Sequence, residues 1–436
     1  MQLTIHRGSC EIGGSCIELQ SGSSRIVLDL GMPLLEPGGT RFDINRWASL
    51  QGPELAECGV LPNVPGLYHW HKGSPSVDGL LLSHAHMDHY GFSHFVHPQV
   101  TVYAGEASHR LLELSTLFTP FVGVTANRGL LKSGISFKCG EFRITPFLVD
   151  HSAFDAYAFL IEAGGKRLFY TGDFRDHGRK SKTFPFICKT LSRTRVDALL
   201  LEGTMLGRPQ ERTPTEDEIE KQLVGLLTAK HGPFFICMSA QNIDRLVSLY
   251  RAVLQTGFEL IVDIYTAHVL GAVKDFASIP HPSSAYERLK VFYPYYLSRR
   301  LADQDRQEIL YRYKNFKISR AEIKEYAGKT VMMVRPSMQI DLDRMDILPG
   351  ATFIYSMWKG YQDEKSVGRL MEFARQKKMD VRYIHSSGHA TPHTLKKLID
   401  ASKAGVVIPI HTAHPEKFYD LSANIRLLED GEKLHL

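Results

Sequence analysis

Residues 80–92 read LLLSHAHMDHYGF. An apolar run ends in His84, His86, Asp88 and His89. In an extended segment side chains two apart point the same way, so His84 and His86 can grip one metal ion. Asp88 and His89 come where the chain turns and would face a second ion nearby. A lone histidine is usually a surface or satisfied core residue, but this string is joined by other donors, each following an apolar strand. LVDHS supplies His151, YTGDF supplies Asp173, and IPIHT supplies His411. Neutral imidazoles suit zinc, and a carboxylate can bridge two zinc ions. The expectation is a two-metal cage whose walls come from distant segments.

At 436 residues the chain is too long for one ordinary core, which implies two domains or a large insertion. No window approaches eighteen consecutive apolar residues, and the opening MQLTIHRGS lacks the pattern of a signal peptide. No membrane association is therefore expected. Six cysteines without a CxxC pair argue against a disulfide framework and fit a reducing, cytoplasmic setting. The net charge of +5 is mildly basic. It leans towards an acidic partner, although solubility alone would account for it.

The first two hundred or so residues read as short strands and turns, with Gly164-Gly165 as a hairpin turn. From about Pro209 the chain becomes charged and helical. In TPTEDEIEKQLVGLLTAKHG, Thr213 reads as the cap, Pro214 as first turn and Gly232 as stop. Strands such as ELIVD, TVMMVRP and TFIYSMW then alternate with helices, the mark of a parallel α/β unit. A last segment, VRYIHSSGHATPHTLKKLIDASKAGVVIPIHT, is strand, loop, helix, strand.

HAHMDH, with the upstream aspartate of VLDLG and the downstream DHS and TGDF, resembles the metallo-β-lactamase superfamily. The resemblance implies a four-layered αββα sandwich with metals at one edge. It also implies a role for Asp29 in orienting groups at the metal site. Between LLLEGT and IHSSGHA runs a long detour that resembles the β-CASP insertion of nucleic-acid-processing members, such as ribonuclease J and the polyadenylation-cleavage endonucleases. Glu202 matches that branch's acidic motif, His389 in SSGHA its second motif, and His411 its third. The implied division is 1–205 and 379–436 for the sandwich and 206–378 for the insertion. A histidine at the third motif goes with RNA-processing members. Thr412 and Ala413 depart from ribonuclease J, which has glycine and glutamate there.

The resemblance implies hydrolysis of single-stranded RNA with two Zn2+ ions, Mn2+ being the alternative. One ion would take His84, His86 and His151, and the other Asp88, His89 and His411, with Asp173 bridging. Metal coordination lowers the pKa of water from about 16 towards 7, which provides a nucleophile at neutral pH. His389 is the candidate general acid, with Glu202 hydrogen-bonded to it. Binding of a phosphate oxygen is the other reading of His389. Ser387, Gly388 and Thr412 are candidates to hold a phosphate, Ser387 and Gly388 just before a helix start at Thr391 and Pro392. Ordinary helix capping is the alternative. YPYYLSRR, at 293–300, reads either as a base-stacking surface or as core tyrosines beside solvated arginines. DNA remains an alternative substrate, and a homodimer is left open. A small-molecule hydrolase would leave the insertion unexplained, and a non-catalytic scaffold would normally have lost metal ligands.

Overall fold

Along the strand Ala198–Glu202, consecutive side chains take opposite faces. Ala198 and Leu200 join a buried cluster with Leu19, Phe159 and Leu168, while Leu199 and Leu201 join another with Ile187, Leu395 and Leu398. A strand buried on both sides, with five apolar or partnered residues in succession, belongs inside a layered structure. The computed structural model describes residues 1–36, 39–47, 49–118, 123–124, 126–209 and 212–436. It divides into two units. The first comprises Met1–Asp176, Lys180–Glu211 and Gly388–Leu436, and the second His177–Arg179 and Arg212–Ser387.

The first unit is a four-layered αββα sandwich. One sheet has the strand order Lys433–His435, Gln2–Arg7, Cys16–Ser21, Ser24–Leu28, Gly79–Leu81, Thr101–Gly105, Asn127–Leu131. The other runs Val406–Ile410, Ala198–Glu202, Lys166–Tyr170, Tyr157–Ala163, Phe142–Leu148, Phe137–Cys139. Inner-face residues of both, among them Leu3, Ile17, Leu28, Ile144 and Ile161, share one core. Helices Thr183–Leu191 and Pro392–Ser402 cover the second sheet's other face. Gly164-Gly165 turns the hairpin between Tyr157–Ala163 and Lys166–Tyr170, as its composition requires.

The second unit is built on a six-stranded, wholly parallel sheet. Its order is Leu289–Phe292, Glu259–Asp263, Thr330–Val334, Phe234–Cys237, Thr352–Tyr355, Asp380–Tyr383. Its first helix, Glu216–Ala229, is capped by Thr215 rather than Thr213. The Thr215 hydroxyl accepts from Glu218 N–H and the Glu218 carboxylate accepts from Thr215 N–H. Both threonines have a glutamate three residues later, but only Glu218 is turned back to close this reciprocal pair. Glu216 is instead buried against Arg245, its oxygens 2.9 and 3.0 Å from the guanidinium nitrogens. No helix among the described residues is long and apolar enough to cross a membrane. All six cysteines are free thiols.

In the first sheet Glu18 faces away from the core between His6 and Arg25, 2.8 Å from His6 Nε2 and 2.6 Å from Arg25 Nε. Burial pushes its pKa up, but the hydrogen bonds from His6 and Arg25 outweigh this and hold it at about 2. A carboxyl depressed on folding adds stability above its unfolded pKa and loses it as pH falls through the folded value. Glu18→Gln should therefore lower unfolding free energy by about 2 kcal/mol at pH 7. Urea titrations should find the deficit shrinking as pH drops below 4.5 towards about 2.

Candidate metal centre

In the second sheet the strands Phe142–Leu148, Lys166–Tyr170, Ala198–Glu202 and Val406–Ile410 all run one way. Their carboxyl ends therefore share an edge, and they lead into His151, Asp173, Glu202 and His411. Ser24–Leu28 and Gly79–Leu81 are parallel in the first sheet and lead into Asp29 and the Ser83–His89 loop. The loop turns at once into the short helix Met87–Tyr90, which carries Asp88 and His89 and leaves the His89 ring 4.1 Å from that of His84.

The donors converge. His84, His86 and His151 bring ligand atoms within 4.8 Å of one another, and so do Asp88, His89 and His411. A third group, His84, His89 and Asp173, links them, and a fourth joins His151, Asp173 and His389. Asp173 Oδ2 is the hub. It lies 3.2 Å from His89 Nε2, 3.7 Å from His411 Nε2, 3.8 Å from His84 Nε2 and 3.9 Å from His151 Nε2. His411 Nε2 is also 3.7 Å from Asp88 Oδ2, and His86 Nδ1 faces His151 Nε2 at 3.2 Å.

The fit to a metal rests on atoms that protein groups leave bare. His84 Nε2, His89 Nε2, His411 Nε2 and Asp173 Oδ1 are buried and make no hydrogen bond among the described residues. Buried polar atoms are nearly always paired, because desolvating one without a partner costs about 1–3 kcal/mol. Several such atoms, all aimed at one point, are the donor chemistry of divalent cations.

The opposite edge of each ring is held by the protein. His89 Nδ1 donates to Asp29 Oδ2 at 2.8 Å, and His151 Nδ1 donates to the Gly388 carbonyl at 2.6 Å. His84 Nδ1 is 3.0 Å from Ser83 Oγ, and His411 Nδ1 is 3.0 Å from Ser15 Oγ. Asp29 is wholly buried and accepts four bonds. These come from Ser83 N–H, Ser83 Oγ, His89 and Tyr170 Oη, the last at 2.5 Å. Burial, then the neighbouring rings, pushes the pKa of His84 and His151 well down, and burial takes that of His86 to about 4 against the Asp88 and Asp173 carboxylates. These rings stay neutral with a lone pair to give. Burial also disfavours charge on His89, but the Asp173 and Asp29 carboxylates overcome it and raise its pKa. Burial alone would raise Asp173; the His411, His89 and His389 rings hold it well below the usual range, so it is ionised.

Two glycines are fixed by close approach. A Cβ on Gly31 would stand 1.7 Å from the Asp88 carbonyl, and one on Gly388 would stand 2.4 Å from Ser152 Oγ. Asp29 and His411 adopt φ of 56° and 50°, a left-handed conformation uncommon outside glycine and asparagine. Strain of this kind is tolerated where the surroundings fix it.

Of the residues expected to act beside the metals, His389 is part exposed, its Nδ1 3.6 Å from both Asp173 Oδ2 and Glu202 Oε2. That is ion-pair range, not the hydrogen bond expected with Glu202. The Glu202 oxygens accept instead from Thr204 N–H and Ala390 N–H, both at 3.0 Å, so Glu202 tethers the loop that carries His389. Thr412 does not line an open site. It is fully buried and its hydroxyl accepts from His414 N–H, because the same turn that delivers His411 folds it inward. Gly388 spends its carbonyl on His151. Ser387 is the last residue of the second unit, where its carbonyl accepts from His177 Nε2 at 2.9 Å. Thr391 caps the helix Pro392–Ser402 by accepting from Thr394 N–H.

Residues 61–214 match the family model described as beta-lactamase superfamily domain. The chain carries a metallo-β-lactamase domain. Over its full length the chain is 22% identical to ribonuclease J of Helicobacter pylori (strain B128), covering 60% of that protein. It is 27% identical over 247 residues to ribonuclease J of Mycobacterium tuberculosis (strain CDC 1551 / Oshkosh), half of this chain and 43% of that one. It is 26% identical to transcription termination factor FttA of Methanothermobacter thermautotrophicus over 337 residues, 70% of this chain and 45% of that one. These relatives are of the β-CASP branch. The chain thus spans about 60% of the Helicobacter pylori ribonuclease J. A crystal structure of a protein of unknown function from Enterococcus faecalis V583 superposes with a TM-score of 0.77 at 21% identity, covering 100% of this chain and 99% of that one. That likeness establishes the fold.

Ser83, Tyr170 and Ser15 were not legible as members of the metallo-β-lactamase site. Ser83 directly precedes the histidine string and Tyr170 the TGD motif, and that adjacency was the available signal. Ser15 carried none. Gly31→Ala should force the Asp88 backbone away. Inductively coupled plasma analysis should find less metal bound per chain than in wild type, with unfolding free energy lower by roughly 1–3 kcal/mol.

Proposed function

We propose that this protein is a metal-dependent nuclease that hydrolyses phosphodiester bonds of single-stranded RNA with two zinc ions. The observation that carries this reading is the pair of donor groups joined at Asp173, with their inner atoms bare. Similarity to proteins named ribonuclease J, and the histidine at 411, favour RNA over DNA. His84, His86 and His151 would hold one ion and Asp88, His89 and His411 the other, with Asp173 available to both groups. When bound, such a pair supplies a nucleophile at neutral pH and relieves charge at the phosphoryl oxygens.

The chain's own residues do the rest. Asp29, steadied by Ser83 and Tyr170, keeps His89 turned towards the ions. The Gly388 carbonyl does the same for His151. His389 donates the proton that the leaving ribose oxygen needs. Burial opposes charge on that ring, yet the Asp173 and then the Glu202 carboxylates raise its pKa, keeping it protonated. Glu202 sets where His389 stands by holding Ala390 N–H. The parallel-sheet unit corresponds to a β-CASP insertion; the expected bounds of 206–378 fall short of its last strand, Asp380–Tyr383, which pairs with Thr352–Tyr355. The setting is cytoplasmic, and a homodimer is consistent with the reading.

Metal-defined protein incubated with end-labelled RNA and DNA oligomers tests this. Two equivalents of zinc per chain, cleavage of RNA and loss of cleavage with chelator are expected. Cutting of DNA with RNA left intact would assign the site to a DNA nuclease. His389→Ala should slow single-turnover cleavage by a factor on the order of 10²–10⁴ while retaining its zinc. Retained rate would leave His389 only a phosphate contact.

A further inference from the structure

Positive charge is unevenly spread along this chain. Residues 293–320 hold seven lysines and arginines against three acidic residues, so four of the five excess positive charges fall in this short stretch. The same stretch contains five tyrosines. It lies wholly in the second unit and far in sequence from every residue of the metal centre.

The segment is ordered on the edge of the parallel sheet. It leaves the edge strand Leu289–Phe292 and forms helices Tyr295–Asp303 and Gln307–Tyr311. It then returns alongside that strand, Ile318 N–H donating to Val291 O at 3.0 Å. Leu301, Leu310 and Ile318 are buried anchors. With those apolar groups and Tyr313 turned in, three of the five tyrosines turn out. Tyr295 is 39% exposed, and Tyr296 and Tyr311 are each 55% exposed. The core-tyrosine reading of YPYYLSRR does not hold for Tyr295 and Tyr296, whose rings meet edge-on at 5.4 Å.

Cations stand among these rings. Lys317 Nζ is 5.4 Å from the Tyr293 ring, and the Arg344 guanidinium is 5.8 Å from Tyr295. Arg299 donates to Tyr295 Oη at 3.4 Å. Arg312, Lys314 and Lys317 are exposed, and none forms an ion pair with a carboxylate among the described residues. Half-exposed aromatic faces alternating with uncommitted cations match one ligand chemistry, a strand of unpaired bases on a phosphate backbone. A simple acidic peptide would use the cations and leave the tyrosine faces without a role.

We propose that residues 293–320, which include none of the metal ligands, form a docking surface for single-stranded RNA. Tyr296 and Tyr311 stack on bases, and Arg312, Lys314 and Lys317 neutralise phosphates. The proposal rests on the ribonuclease reading above. It adds to that reading an affinity determinant beyond the metal ligands and His389.

The test is fluorescence anisotropy of a labelled twenty-nucleotide oligouridylate with the full chain in chelator, so that nothing is cut. Arg312→Ala/Lys314→Ala/Lys317→Ala should weaken binding at least tenfold and reduce the salt slope by about 2. Tyr296→Ala/Tyr311→Ala should weaken it roughly tenfold to a hundredfold with the slope unchanged. Lys182→Ala/Lys189→Ala/Arg193→Ala, an equal loss of charge from exposed positions of the first unit, should change it less than twofold. Unaltered melting temperature and zinc content identify variants that are folded.

Wild-type binding matched by both surface variants would overturn the docking surface and leave the ribonuclease reading standing. An equal effect of the first-unit triple would reduce the surface to overall charge. Wild type that binds no RNA would sink both readings. Silent tyrosine changes, with polyglutamate displacing the RNA, would assign the surface to an acidic protein.

Discussion

A single carboxylate oxygen organises the first unit. Asp173 Oδ2 has four histidine Nε2 atoms within 3.2–3.9 Å, drawn from three separate stretches of chain. An arrangement of buried rings around a buried anion, with three of those nitrogens making no hydrogen bond, is unfavourable if nothing lies among them. Its persistence depends on what surrounds it. Asp29, Ser83, Ser15 and the Gly388 carbonyl each engage the outer nitrogen of a ring, which fixes the ring's direction and leaves its inner nitrogen as a donor.

Sheet geometry explains why so many donors share one edge. Strands running the same way end at the same side, and His84, His151, Asp173 and His411 each stand within three residues of a strand end. The price in backbone strain is local. Asp29 and His411 take left-handed conformations, one holding the rings from behind and the other donating from the front. Gly31 lets the segment after Asp29 pass against the Asp88 carbonyl, where no side chain would fit. The VLDLG motif is thus two requirements in one string, a buried acceptor followed by a close backbone approach.

The second unit obeys a different logic. Its parallel sheet is covered by helices, and its long excursion from the edge strand at 293–320 is held by a few leucines and an isoleucine. The polar surface of that excursion is left to solvent and rich in tyrosine and arginine. Its composition was visible in YPYYLSRR, but exposure was not. The helix beginning TPTEDE was equally plain from its acids and apolar spacing. Its cap was misplaced by two residues because two threonines competed, and only Thr215 has a glutamate three positions on that is free to answer it.

Resemblance to a known superfamily implied the αββα sandwich; the sequence by itself determined the metal-type donor set and a parallel α/β unit. Those follow from strand periodicity, from HxHxDH spacing and from apolar runs that end in donors, which are local properties of the chain. Tertiary structure alone decided that Thr412 is buried, that Glu202 holds Ala390 rather than His389, and that Ser83, Tyr170 and Ser15 steer the rings. Each of those depends on which atom of a distant segment lies within about 3 Å. Spacing along the chain carries no such information.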